Sequence, residues 1–224
     1  MRIIAAAVLV TIALMAARRA KLVPGRGQAA FELVLDFVRV NIAEETLGHN
    51  TRRFLPMITT IFFTVLVLNI TGVVPLLNIA STSLIGMPLV LAAWVYVMYL
   101  AVGVKKFGLG GYLKNNLLPP GLPKVLYVLI TPIEALQVFV FRPATLALRL
   151  TANMIAGHLI LVLCFAATHF FLFEAAGAMK LVGAGTLVAG IAFTLFEVLV
   201  AGLQAYVFAL LASVYLNMAV DEEH

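Results

Sequence analysis

Five stretches of this chain run apolar with almost no charge, and the polar residues gather between them. The first is Ile3 to Ala17, closed by Arg18, Arg19 and Lys21. A cleavable leader is the rival reading, but a run that stops at a basic cluster resembles a span ending on the cytoplasmic side. Residues Gln28 to Leu47 behave differently. Phe31, Val34, Leu35, Val38 and Ile42 recur at helical spacing, while Glu32, Asp36, Arg39, Glu44 and Glu45 fall largely elsewhere on the wheel. The segment is too charged to span, and its pattern predicts an amphipathic helix at the membrane surface or against a partner.

The second span is predicted over Phe54 to Val74, after Arg52 and Arg53 and before Pro75. An uncharged turn, Leu76 to Gly86, leads to a third span over Met87 to Val104, stopped by Lys105 and Lys106. Phe107 to Lys124 is rich in Gly and Pro and predicts a loop. Two further apolar stretches, about Pro132 to Phe173 and Leu181 to Ala219, are each some forty residues long. At 1.5 Å per residue such a helix is about 60 Å long, against a hydrocarbon core of about 30 Å. Both must therefore tilt, bend or overhang, and Pro143 is the predicted kink.

Composition sharpens the picture. Of 224 residues, 63% are hydrophobic and 11% charged. That is too little charge to cover a water-facing surface, which excludes soluble-enzyme and disordered classes. Unbroken apolar runs, rather than alternation over about ten positions, exclude a barrel. The fold class is an all-α integral membrane protein. It has about five spanning helices, one amphipathic surface helix, and two long tilted C-terminal helices that form a hairpin, all within one membrane domain. The net charge of +5 reflects basic loops, not nucleic-acid binding. Those loops fall consistently on one side, which puts the N-terminus outside and the C-terminus in the cytoplasm. The single cysteine, Cys164, makes neither an intrachain disulfide nor a metal site.

Titratable residues inside apolar helices are costly, at about 3 kcal/mol each, and usually line an ion path or pair internally. Glu134, Arg142, Arg149, His158 and Glu197 stand in or near the two long stretches. Arg149 has no acid within a helical turn. It serves either as a structural partner of Glu197 or as a fixed charge facing a mobile anion. An arginine keeps its proton, so it repels protons and attracts carboxylates but relays nothing. Asn153, four residues on, shares the Arg149 face, whereas His158 points about 180° away. Glu197 and Gln204 share a stripe that antiparallel packing sets against His158 and Asn153. His158 and Glu197 either pass protons or form a buried pair that only fixes the hairpin. Glu134 follows Pro132 and serves either as a helix-start carboxylate or as a cytoplasmic mouth for protons. Arg142 snorkels or pairs with an acid or a lipid headgroup.

Arg149-Leu-Thr-Ala-Asn153-Met-Ile-Ala-Gly157-His158 resembles the RLxxNMxAGH signature of subunit a of F-type ATP synthases. Leu203-Gln204-Ala205-Tyr206-Val207-Phe208 is similar to that family's LQAFxF stretch, Asn69-Ile-Thr-Gly72-Val-Val-Pro75 to its NxxGLxP segment, and Thr131-Pro132-Ile133-Glu134 to its PIE motif. Arg142-Pro143-Ala-Thr-Leu-Ala-Leu looks closest to actinobacterial members. The resemblance covers about residues 50 to 218. It implies a stator in the bacterial plasma membrane, surrounded by lipid, that clasps a ring of c subunits beside b-type stator subunits and the rest of the synthase. It further implies proton use, with no cofactor, metal or ATP chemistry on this chain. Arg149 matches the family's essential arginine opposite the ring carboxylate. Asn153, His158, Glu197 and Gln204 match its outer half-channel, and Glu134 a carboxylate of the inner one. Some members carry the acid on the first long helix and the histidine on the second, and here the two are exchanged. A secondary transporter predicts internal repeats and broken helices, and neither is evident in the sequence. A purely structural subunit leaves Arg149 without a reason.

Overall fold

The structure is a computed structural model that describes residues 26–73, 86–117 and 124–220. The expected span at Ile3 to Ala17, the turn beginning at Leu76 and the acidic tail at Asp221 lie outside the described residues. Every described element is helical except a short link before Met179. Helix α1 (Arg26–Val38) continues through a π-type stretch, Arg39–Glu44, into the turn Glu45–Leu47. Helix α2 is Thr51–Val73, α3 Gly86–Leu117 and α4 Lys124–Leu136. A second π-type stretch, Gln137–Phe141, joins α4 to α5 (Arg142–His169). A third, Phe170–Glu174, ends α5 before α6 (Met179–Val220).

Among the described residues, four stretches are long and apolar enough to cross a membrane: Phe31–Val73, Gly86–Gly108, Ile130–Glu174 and Met179–Val220. The chain is a multi-pass, all-α membrane protein. Its polar backbone is satisfied within helices because lipid offers no hydrogen-bond partners. The first stretch is not one straight rod. Gly48 takes φ +50°, ψ −116°, a conformation in which a Cβ is strained. The chain reverses there, and α1 doubles back so that Phe31 stacks on Phe63 at 5.0 Å and Thr51 donates to the carbonyl of Ala43 at 3.1 Å. The apolar face of this segment, Val38, Ile42, Ala43 and Leu47, is buried in the core. Its charged face stays exposed, with Arg39 bridging Glu44 at 2.8 Å. Among the described residues, its packing partners are α2 and α6.

The main core lies where α2, α3, α5 and α6 meet, around Ile58, Ile61, Val65, Val95, Leu150, Ala205, Ala209, Ala212 and Leu216. The row of alanines lets α6 approach its neighbours closely, which is how helices associate when lipid removes the hydrophobic drive. Outside this core, α5 and α6 form a long antiparallel hairpin. Glu197 stands beside Gly157, Gly190 takes the Phe165 ring, and Gly183 takes Leu172. Thr168 meets Thr186 at 3.0 Å. Each step along α5 is thus matched by a step back along α6. Most of the hairpin's outer surface is bare apolar side chain, including Leu148, Leu159, Leu163, Leu199 and Leu203.

Three boundaries differ from the sequence expectation. Phe107 to Lys124 is not all loop. The chain kinks at Gly108 (φ 72°, ψ 164°), and helix resumes through Leu117. The positive φ, which glycine adopts without strain, separates two helical segments. Helix α4 begins at Lys124, eight residues before Pro132, so Pro132 lies inside a helix and Glu134 is not at a helix start. The macrodipole explanation for Glu134 therefore lapses, since that field fades within the first turn. The predicted disturbance at Pro143 takes the form of the π-type stretch Gln137–Phe141 immediately before it. Pro143 has no N–H to offer the carbonyl of Phe139, and a widened turn accommodates the lost bond.

Candidate functional site

Helices α5 and α6 bring His158 and Glu197 together. The Nδ1 of His158 lies 3.6 Å from Oε1 of Glu197, with both side chains mostly shielded. The separation is within ion-pair range but too long for a direct hydrogen bond. Both imidazole nitrogens and both carboxylate oxygens are buried without a hydrogen-bond partner. Buried polar atoms are almost always satisfied, so such a cluster is suited to transient partners such as water or a moving proton. Gly157 makes the arrangement possible, because a Cβ at that position would overlap the Glu197 carboxylate.

Around the pair the chain leaves room. A groove of ≈ 300 Å³ is lined by Asn153, Gly157, Phe193, Phe196, Glu197 and Gln204. A smaller recess that shares Glu197 is lined by Asn69, Asn153, Glu197 and Gln204. Gln204 and Glu197 are both buried on the same stripe of α6. Asn153, His158, Glu197 and Gln204 thus form one polar locus in an apolar hairpin. Asn69 joins it from α2. It is 3% exposed, and its Oδ1 is buried without a partner. In the sequence Asn69 stands out only as part of a motif. The available signal was an amide inside a span, which is as anomalous there as a charge.

Arg149 and Glu134 stand apart from this locus. Arg149 is exposed on α5 and borders neither recess. Among the described residues it makes no ion pair, and the histidine, not the arginine, faces Glu197. Eight residues separate Arg149 from Gly157, the position beside Glu197, or about 12 Å along a helix. Glu134 is half-buried on α4, fifteen residues from Arg149 in the opposite direction, or about 22 Å. Arg142 is held by Tyr99 and Tyr215 instead of an acid, with its Nη1 donating to the Tyr99 hydroxyl at 2.9 Å. Lys106 donates to the carbonyl of Val220, so the basic stop after the third span and the end of α6 share one end of the bundle.

Comparison with known proteins gives these features a family. Residues 1–217 match the ATP synthase A chain family. The chain is 52% identical over 211 residues to ATP synthase subunit a of Rhodococcus erythropolis, covering 93% of this chain and 77% of that protein. It is 38% identical over 207 residues to the Arthrobacter subunit, covering 92% and 77%. The Nocardioides subunit is 37% identical over 222 residues, covering 99% and 80%. An all-helical membrane chain with an exposed arginine that makes no ion pair among the described residues, a polar locus in a long hairpin and relatives of this closeness belongs to the ATP synthase subunit a family.

Proposed function

We propose that this chain is the stator of a rotary proton motor, with Arg149 facing the carboxylate of a turning c-ring and two offset half-channels on either side of it. One observation carries the reading. Arg149 is a permanent cation exposed on the apolar outer surface of α5, and no anion of the described chain neutralises it. Such a charge is costly where it faces lipid, and a partner that supplies the counter-charge relieves the cost. The ring's acid is that partner. Beside Arg149 it is held ionised, because a nearby cation lowers a carboxylate's pKa. Protonated, it can leave the arginine and face lipid at low cost.

The outer half-channel is the locus of Asn153, His158, Glu197 and Gln204, with Asn69 as a further wall. The inner half-channel opens near Glu134. Placed between them, Arg149 blocks a direct proton leak by repulsion and forces each proton to travel with the ring. The ion gradient supplies about 2.3 kcal/mol per charge per 100 mV. The long hairpin suits this work, since 42 residues of α6 offer about 63 Å of contact to a curved rotor. The c-ring, the b-type stator subunits and surrounding lipid are the partners in this reading. The plasma membrane is the site, with the N-terminus outside.

The overall test is proton-driven ATP synthesis by the assembled synthase carrying Arg149→Ala. For the outer half-channel, Glu197→Gln keeps the shape of the side chain and removes its proton exchange. Proton uptake is expected to slow by about 100-fold, the scale typical of a lost acid–base group. The measurement is the rate of proton-driven synthesis per assembled complex in inverted vesicles. An unchanged rate would reduce Glu197 to a structural part of the hairpin.

A further inference from the structure

We infer that Arg142 is a positioning residue: clamped between the rings of Tyr99 and Tyr215, it sets the rotation of α5 and hence the direction in which Arg149 points. The inference rests on the stator reading of Arg149.

The clamp is built from three elements. Arg142 is the first residue of α5, Tyr99 belongs to α3 and Tyr215 to α6. The Arg142 guanidinium carbon lies 5.7 Å from the Tyr99 ring centre and 5.5 Å from that of Tyr215. The two rings are 6.5 Å apart and inclined at 61°. The hydrogen bond to the Tyr99 hydroxyl, at 2.9 Å, fixes the plane of the guanidinium. Tyr96, Pro143 and Leu146 wall the recess. A guanidinium is suited to this place because it is planar, always charged and able to stack on aromatic faces while donating at its edge. Arg142 makes no ion pair among the described residues. An acid here would add a second protonatable group near the ring's path. Aromatic faces hold the charge without one.

The clamp sits where the helix most needs it. Immediately before Arg142 the chain is π-type over Gln137–Phe141. Such a turn carries an extra residue, and losing it would rotate everything downstream by about 100° relative to α4. Among the described residues Arg149 makes no ion pair of its own to resist that rotation. Arg142 and Arg149 are seven residues apart, within about 20° on the same stripe, so holding the first orients the second. The sequence alone assigns no role to Tyr96 or Tyr99, because nothing local links them to an arginine more than forty residues away.

The experiment uses the whole ATP synthase in inverted vesicles, measuring ATP-driven proton pumping per ATP hydrolysed and the passive proton leak after the catalytic head is stripped. Arg142→Met is expected to lower pumping per ATP by about tenfold and raise the leak, since a misplacement of about 1 Å can cost 10²-fold. Arg142→Lys keeps the charge but loses the planar fork, and should recover only part of the coupling. Tyr99→Phe keeps the ring and drops the hydrogen bond, and should give the mildest defect. A purely structural residue would lower the amount of complex while leaving pumping per complex unchanged, and that result overturns the inference. If Arg142→Met does not assemble, Arg142→Lys decides. Coupling equal to the unmodified enzyme overturns the inference, and reduced coupling with raised leak supports it. Arg149→Ala run in parallel separates the two claims. Pumping retained there brings down the stator reading itself. Pumping lost there but intact in Arg142→Met brings down the clamp alone.

Discussion

Arg149→Ala is expected to abolish proton-driven ATP synthesis while the complex still assembles. The side chain is exposed and makes no ion pair among the described residues, so its removal breaks no internal ion pair of the hairpin. Surface substitutions of that kind usually change stability by less than about 0.5 kcal/mol. The functional loss has two parts. Without the cation, the ring's carboxylate loses its reason to ionise in an apolar surrounding, where burial favours the neutral acid. With nothing to repel protons between the half-channels, the membrane sector also conducts passively. Synthesis per complex should fall below detection and the leak of stripped vesicles should rise. Arg149→Lys distinguishes charge from geometry. A lysine is a point charge that gives up its proton more readily when buried, so it should restore little coupling. Normal synthesis with alanine at 149, in a complex of normal amount, would defeat the mechanism.

How much of this was legible beforehand depends on the kind of signal. The apolar runs marked the helices because lipid leaves few other ways to satisfy a backbone. The period of Phe31, Val34, Val38 and Ile42 marked a buried face. It did not reveal that Gly48 would fold that face back onto α2 and α6, which is a long-range event. Helix ends were the weakest reading. Pro132 suggested a break, yet helix continues through it, whereas Gly108 does interrupt the helix, which resumes beyond it. In a membrane chain neighbouring helices re-satisfy the freed groups, so the usual punctuation loses force. Charges stranded in apolar sequence were the strongest signal for the site, and the structure brings His158, Glu197, Asn153 and Gln204 to one locus. Uncharged polar groups gave a weaker one. Asn69 and the tyrosines around Arg142 acquire meaning only when three helices meet.

Gly157→Ala is expected to cripple proton uptake nearly as severely as the loss of the Glu197 carboxylate itself. The added methyl would occupy the space of that carboxylate, so either the acid swings away from His158 or α5 and α6 move apart. The first outcome breaks the locus. The second strains a hairpin packed along its length by Gly190 against Phe165 and Thr168 against Thr186. Overpacking of this kind costs about 1–3 kcal/mol, which makes rotation of one side chain the cheaper response. The complex should therefore assemble and fail in function, with proton-driven synthesis down by about 100-fold, the scale of a lost acid–base group. The steric cause makes a second, sharper demand. Glu197→Asp withdraws the carboxylate by one methylene, which vacates the space that the new methyl needs. In the Gly157→Ala background it should raise synthesis, whereas alone it should lower it. Residues in contact are expected to be non-additive in this way, and the four-variant cycle measures the coupling directly. Additive losses would mean that Gly157 and Glu197 act separately, and that the glycine's place in the Arg149–His158 segment has some cause other than making room for the acid.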